Sequence, residues 1–222
     1  MTEKKRILFI SHHGTMSGAP ISLLTLMKHF AANRDWEFQV LMRKEGPLRS
    51  EFEKLAPTHV YYQHFLDPAD MRPEGAKRPP LPEDVRRRKF RQWRHEQRLR
   101  LKLRQFKPDL VYSNTTVNGG LLAKLGMKAP TLIHVRELWT TIALYNQVQL
   151  NAFKQPDYKY FAVSEFVRNY LKDTFSIAHE RIGIVPGSIE PEVFDKKAED
   201  LTVGEMRKEL ALPGSKCRPF SS

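Results

Sequence analysis

Cysteine is all but missing from this chain: Cys217 is the single one in 222 residues. That excludes an intrachain disulfide and any metal cluster built on thiolates, and it fits a reducing, cytoplasmic compartment. Long apolar runs are missing too. The run that follows the charged MTEKKR, Ile7-Leu8-Phe9-Ile10, is too short for a signal-peptide core or a membrane span. No G-x-G-x-x-G spacing and no internal repeat occurs, and acids are scarce, with 25 Asp and Glu against 37 Lys and Arg for a net charge of +12. The hydrophobic share of 41% still suffices for one large core or two small ones, which excludes a disordered chain.

The stretch Arg6 to Leu26 organises the rest. Ile7 to Ile10 reads as a strand buried on both faces that ends at Ser11-His12-His13-Gly14. A loop of small residues, Ser17-Gly18-Ala19, then leads into a helix expected to begin at Pro20, because proline at a first helical position loses only an amide that has no partner there. The unpaired amides of a helix start attract anions where side chains are small, so Ser17, Gly18 and Ala19 are the candidate phosphate-binding set. The plain alternative is a glycine loop that serves the turn alone.

Beyond this stretch strands and helices alternate. A helix over about Pro20 to Ala32 is followed by a strand over Trp36 to Met42, a helix over Leu48 to Leu55 and a strand over Thr58 to Tyr62. Gln63 to Glu83, with five prolines, reads as an extended loop. Glu83 to Phe106 reads as a helix, Leu110 to Ser113 as a strand, Val117 to Leu125 as a helix and Thr131 to Val135 as a strand. Leu138 to Phe153 and Glu165 to Phe175 read as helices around a strand over Lys159 to Val163, and Arg181 to Val185 as the last strand. Seven strands and six helices in this order predict an α/β fold: a doubly wound, mostly parallel, Rossmann-like sheet with helices on both faces. In such sheets ligands sit beyond the carboxyl ends of the strands. The residues found there are His12 and His13; Arg43 and Lys44; Asn114 and its neighbours; His134, Arg136 and Glu137; Ser164; and Gly187 with Ser188. Each has a plain reading as well, Ser164 as a helix cap, Asn114 as a turn former and His134 as a satisfied buried histidine.

Several stretches together resemble the N-terminal half of a family 4 glycosyltransferase of the GT-B fold. They are Ser17-Gly18-Ala19-Pro20 after the first strand, Lys107-Pro108-Asp109-Leu110-Val111-Tyr112-Ser113-Asn114, Ile133-His134, Ala162-Val163-Ser164-Glu165-Phe166-Val167, and Ile184-Val185-Pro186-Gly187 with Phe194 beyond. The resemblance implies retaining transfer of a sugar from a nucleotide-sugar donor to a glycan or lipid-linked acceptor, with no tightly bound cofactor and no metal. It implies that this half mainly binds the acceptor, which makes the strand-end residues His12, His13, Asn114, Arg136, Glu137 and Ser164 the candidate contacts. It further implies that Gly18, with Ser17 and Ala19, approaches the donor diphosphate and that His134 lies beside the transferred sugar as the catalytic candidate. Two departures bear on this. Paired glycines followed by Ala-Glu are usual where this chain has Ser17-Gly18-Ala19-Pro20, and an Asn-Gly turn is usual where it has Gly187-Ser188.

Residues 1–195 are expected to form the domain, and 196–222 a linker, the start of a second domain and a tail. Val203 to Pro213 resembles the helix that opens the family's donor-binding domain, whose Glu-x7-Glu motif has no counterpart here. The expectation is therefore a fragment, a shortened product or one part of a split enzyme, completed by a separate donor-binding subunit and inactive alone.

One segment makes the protein basic. Arg86 to Arg104 holds eight Arg and two Lys against Glu96, a net +9. At 100° per residue Phe90, Trp93 and Leu101 fall on one side of this helix and Leu99, Leu103 and Phe106 on the other. The second set is expected to face the core. That leaves Arg87, Phe90, Arg91, Trp93, Arg94 and Arg98 as candidate contacts to an anionic membrane surface, with nucleic acid as the rival partner. A non-enzymatic module binding such a surface is the alternative function, a peripheral membrane location the alternative placement, and a solvated charged face the plain reading.

Overall fold

The computed structural model describes residues 4–62, 82–137, 142 and 153–186. The chain divides into two units, Met1–Gly187 and Ser188–Ser222, and all described residues belong to the first. The strands are β1 (Arg6–His13), β2 (Glu37–Lys44), β3 (Thr58–Val60), β4 (Leu110–Ser113), β5 (Thr131–Val135), β6 (Tyr158–Ala162) and β7 (Ile182–Ile184). The helices are α1 (Gly18–Asn33), α2 (Arg49–Glu53), α3 (Pro82–Phe106), α4 (Gly119–Leu125) and α5 (Glu165–Phe175). All seven strands run parallel in the order β3-β2-β1-β4-β5-β6-β7, the Rossmann-like α/β arrangement expected.

The apolar run of β1 is continuous because both of its faces are covered. Ile7 and Phe9 point to one core with Leu23, Leu24 and Met27 of α1 and Phe52 of α2. Leu8 and Ile10 point to the other, with Leu99, Leu103 and Phe106 of α3, Leu121 and Leu125 of α4, and Leu171 of α5. Side chains alternate along a strand, so a polar residue at any of these positions would leave an unmatched group in one core or the other.

The elements β4, β5 and α5 have the expected bounds. Others shift. The first strand runs through Ser11, His12 and His13, because Ser11 and His13 keep pairing with Met42 and Lys44 of β2. Helix α1 begins at Gly18, which puts Pro20 at the third helical position; its amide would have no intrahelical partner there either, so the earlier start costs nothing. β2 reaches Lys44, while α2, β3 and β7 are shorter than expected, the last preceded by a 3-10 turn over His179–Arg181. The helix expected from Val117 becomes a 3-10 turn, Thr116–Asn118, followed by α4. Most of the proline-rich segment, residues 63–81, lies outside the described residues, as do most of the helix expected over Leu138 to Phe153 and Gly187 with Ser188.

A contact that the sequence did not flag shapes the end of β1. A Cβ on Gly46 would fall 2.4 Å from the carbonyl oxygen of Gly14, so the two backbones pack directly on each other. The Gly14 amide donates to the Lys44 carbonyl at 3.2 Å, and the Leu48 amide donates to the Gly14 carbonyl at 2.8 Å. This holds the β1 and β2 ends together where the polar residues begin.

Candidate functional site

Strand order reverses between β1 and β4, whose following helices α1 and α4 pack on opposite faces, and at such a point a crevice opens beyond the strand ends. His12, His13 and Gly14 reach it from β1, and Ser113, Asn114 and Thr115 from β4. Arg43 comes from β2, only 8% exposed, with its guanidinium 5.8 Å from the centre of the Tyr62 ring.

The β4 side is a buried polar cluster. The Asn114 amide donates to the Ile10 carbonyl at 3.0 Å, and its side-chain nitrogen donates to the Ala19 carbonyl, tying the first turn of α1 to β4. Asn118 donates to the Ile10 carbonyl at 3.3 Å and to Ser113 Oγ at 3.1 Å, and the Ser113 hydroxyl donates to the Thr115 carbonyl at 2.9 Å. The side-chain amide nitrogens are engaged, but other polar atoms are left over. Asn114 Oδ1, Asn118 Oδ1 and Thr115 Oγ1 are buried with no hydrogen-bond partner among the described residues. So is Nδ1 of His12, whose pKa is lowered to about 4, first by burial and then by His13 and Arg43, which keeps the ring neutral. Native folds leave few such atoms, and where several gather beside a crevice a ligand or ordered water is the usual partner.

On the other wall stands the start of α1. Ser17 is its N-cap residue, yet the Ser17 hydroxyl makes no cap bond and lies 3.0 Å from Thr15 Oγ1 instead. A Cβ on Gly18 would meet nothing within 4 Å, so the first turn is open to approach. Its leading amides lack a side-chain cap and carry the positive end of the helix dipole.

His134, at the end of β5, is differently placed. It is 2% exposed; Nε2–H donates to the Val185 carbonyl at 3.3 Å and Nδ1 accepts from the Tyr112 hydroxyl at 2.6 Å. Arg136 Nη2 lies 3.3 Å from the same Nδ1. Burial, reinforced by the Arg136 charge, lowers its pKa to about 4, while burial pushes the Tyr112 hydroxyl up to about 12. The Glu137 carboxylate accepts from the amides of Arg136 at 3.1 Å and Thr116 at 3.3 Å, clamping β5 to the turn after β4; burial raises its pKa against the pull of those amides. Ser164 caps α5, its Oγ accepting from the Val167 amide at 3.3 Å.

The fold thus brings His12, His13, Asn114 and the Ser17-Gly18-Ala19 turn to one crevice, places His134, Arg136 and Glu137 at the next strand end, and puts Ser164 at the end of β6. Arg87, Phe90, Arg91, Trp93, Arg94 and Arg98 all lie exposed on α3, outside this group. Sequence reasoning did not single out Tyr112, Asn118 or Gly46. Asn118 could have been found as a polar residue interrupting an otherwise apolar helical pattern, and Gly46 from the Gly-Pro pair that marks a turn; Tyr112 carries no such signal. Among the described residues no group of three His, Cys, Asp or Glu assembles as a metal site, and no helix is long and apolar enough to cross a membrane.

Residues 16–193 match Glycosyltransferase Family 4. Among solved structures, Anabaena Alr3699/HepE in complex with UDP superposes with a TM-score of 0.57 at 15% identity, over 93% of this chain and 50% of that one, and its complex with UDP-glucose gives the same values. Sucrose-phosphate synthase (tll1590) from Thermosynechococcus elongatus superposes with a TM-score of 0.59 at 16% identity, over 95% of this chain and 53% of that one. The chain spans about half the length of these structures. No curated protein matches it by sequence.

Proposed function

Because the chain belongs to glycosyltransferase family 4, we propose that it is the acceptor-side half of a retaining, hexosyl-transferring enzyme that uses a nucleotide-sugar donor. Its domain on this reading is residues 1–195, followed by a linker, and it is inactive until a donor-binding domain, in the same or a separate chain, closes the cleft. The observation that carries the reading is the set of unpartnered buried acceptors at the ends of β1 and β4, facing the open first turn of α1.

A sugar presents many hydroxyl donors, and Asn114 Oδ1, Thr115 Oγ1 and neutral His12 Nδ1 are acceptors that such hydroxyls would satisfy. The amides at Gly18 and Ala19 suit the negative charge of a diphosphate, and Alr3699/HepE was solved with UDP and with UDP-glucose. His134 is assigned its place beside the transferred sugar; neutral and held by Tyr112 and Val185, it takes a positioning role rather than exchanging a proton with substrate. Ser164 is assigned to the cap of α5 on this reading, its Oγ accepting from the Val167 amide.

Titration of the isotope-labelled chain with UDP-glucose tests the donor side. The expected result is shifts at the Gly18 and Ala19 amides with affinity in the millimolar range, worth about 4 kcal/mol, since most diphosphate contacts are assigned to the other domain. Micromolar affinity, or shifts that avoid α1, would refute the division of labour.

A further inference from the structure

We infer that α3 is a docking element for a bilayer surface rich in anionic phospholipid, with Phe90, Trp93 and Leu101 entering the headgroup boundary and arginines on both flanks holding the phosphates. This assignment stands apart from the sugar-transfer reading and does not depend on it.

The inner face of α3 is fixed in rotation by the core. Leu99, Leu103 and Phe106 are buried there, Gln92 Nε2 donates to the Tyr61 carbonyl at 2.7 Å, and His95 Nε2–H donates to the Val60 carbonyl at 2.6 Å. Fixing one face fixes the other. Phe90, Leu101 and Trp93 therefore point outward, 57%, 59% and 54% exposed, and they are three of the seven exposed large apolar side chains among the described residues. On a helix of 100° per residue Phe90 and Leu101 lie about 20° apart with Trp93 about 60° to one side, a stripe about 16 Å long. Arg87, Arg94 and Arg98 flank it on one side and Arg100 and Lys89 on the other, while Arg86 and Arg104 stand at its two ends. The acid of the segment, Glu96, is half-buried away from the stripe, where it accepts from Gln92 at 3.3 Å.

Apolar side chains at the centre and cations at the rim are the cross-section of a helix that lies in a membrane interface. A phosphate-tracking surface for nucleic acid would put cations at the centre and leave aromatic faces free for bases. Here the two rings stack on each other, with centroids 5.8 Å apart and planes 23° apart, and Leu101 has no ring to offer. The placement also has a consequence for the crevice. Gln92 and His95 bond to the carboxyl end of β3, so the Phe90–Trp93 end of the helix lies at the same edge of the sheet as His12 and Asn114. A chain seated on α3 would hold its crevice near the lipid surface.

The test is co-sedimentation of the chain with vesicles of phosphatidylcholine containing phosphatidylglycerol, against phosphatidylcholine alone. Binding to the mixed vesicles only is expected. Phe90→Ser with Trp93→Ser should lower partitioning about tenfold in low and high salt alike, because ring burial is not screened. Arg94→Gln with Arg98→Gln should lower it about twenty-five-fold in low salt, near fivefold per charge. Both pairs are exposed, so unchanged thermal midpoints serve as the folding control. Lipids brominated in the acyl chain should quench fluorescence in the native chain, and Trp93→Phe should bind as well while losing that quenching. No binding to anionic vesicles, full binding by the Phe90/Trp93 double variant, or capture of a polynucleotide in place of vesicles would each overturn the assignment.

Discussion

At the end of β5, His134 has a partner on each ring nitrogen, whereas at the ends of β1 and β4 the buried atoms Asn114 Oδ1, Asn118 Oδ1, Thr115 Oγ1 and His12 Nδ1 have none among the described residues. Both clusters sit on the same edge of one sheet and both desolvate polar atoms. The first recovers that cost inside the protein. The second finds no such partner among those residues, which leaves it to a ligand or ordered water.

The largest expected effect touches both clusters. His12 and His134 have pKa values near 4 in the folded chain, while an unfolded histidine titrates near 6.5. Between those values the unfolded state binds more protons, so stability is full above about 6.5 and falls as pH drops toward 4. Glu137 works the other way, since its raised pKa favours the folded state as pH falls, and it therefore opposes the decline. Urea denaturation of the Glu137→Gln chain across this window should show the decline, and a flat profile there would break the account of both histidines.

Next in size is His134→Phe, which keeps a ring of similar volume but strips Tyr112 of its acceptor and Val185 of its donor. It should cost about 2 kcal/mol and shallow the acid decline. Denaturant titration at neutral pH measures the first effect and at pH 5 the second. Ser164→Ala should cost about 1 kcal/mol, the value of one helix cap, and leave ligand shifts in the crevice unchanged. Any change in those shifts would return Ser164 to the site. Smallest is Thr115→Val, which removes a hydroxyl that has no partner. Stability should move by no more than about 0.5 kcal/mol, while the affinity of a bound sugar falls. A loss of 2 kcal/mol in the melting curve would erase the distinction between the clusters.

The comparison also marks what could be read from residues alone. The elements β4, β5 and α5 were legible to the residue because turn and cap signals bound them, Lys107-Pro108-Asp109 before β4 and Ser164 before α5. Ser11 to His13 were not legible as strand, since polar residues after an apolar run resemble a loop until β2 supplies their partners. The two faces of α3 followed from helical spacing, and Leu99, Leu103 and Phe106 are buried as that spacing required. His12, His13 and Asn114 were found as strand-end residues, but their spacing gave no sign that His134 would be engaged on both nitrogens and Asn114 on only one side.

The sequence by itself determined the alternation of elements, the doubly covered parallel sheet, the strand ends that carry polar groups, and the family, because periodicity, turn chemistry and motif order are local properties. Only the tertiary structure decided which polar atoms are satisfied and which are left waiting. Tyr112 meets His134, Asn114 meets Ala19, and Gly14 meets Gly46 across separations of 22, 95 and 32 residues, and a hydrogen bond or a backbone contact depends on distances that no local pattern encodes.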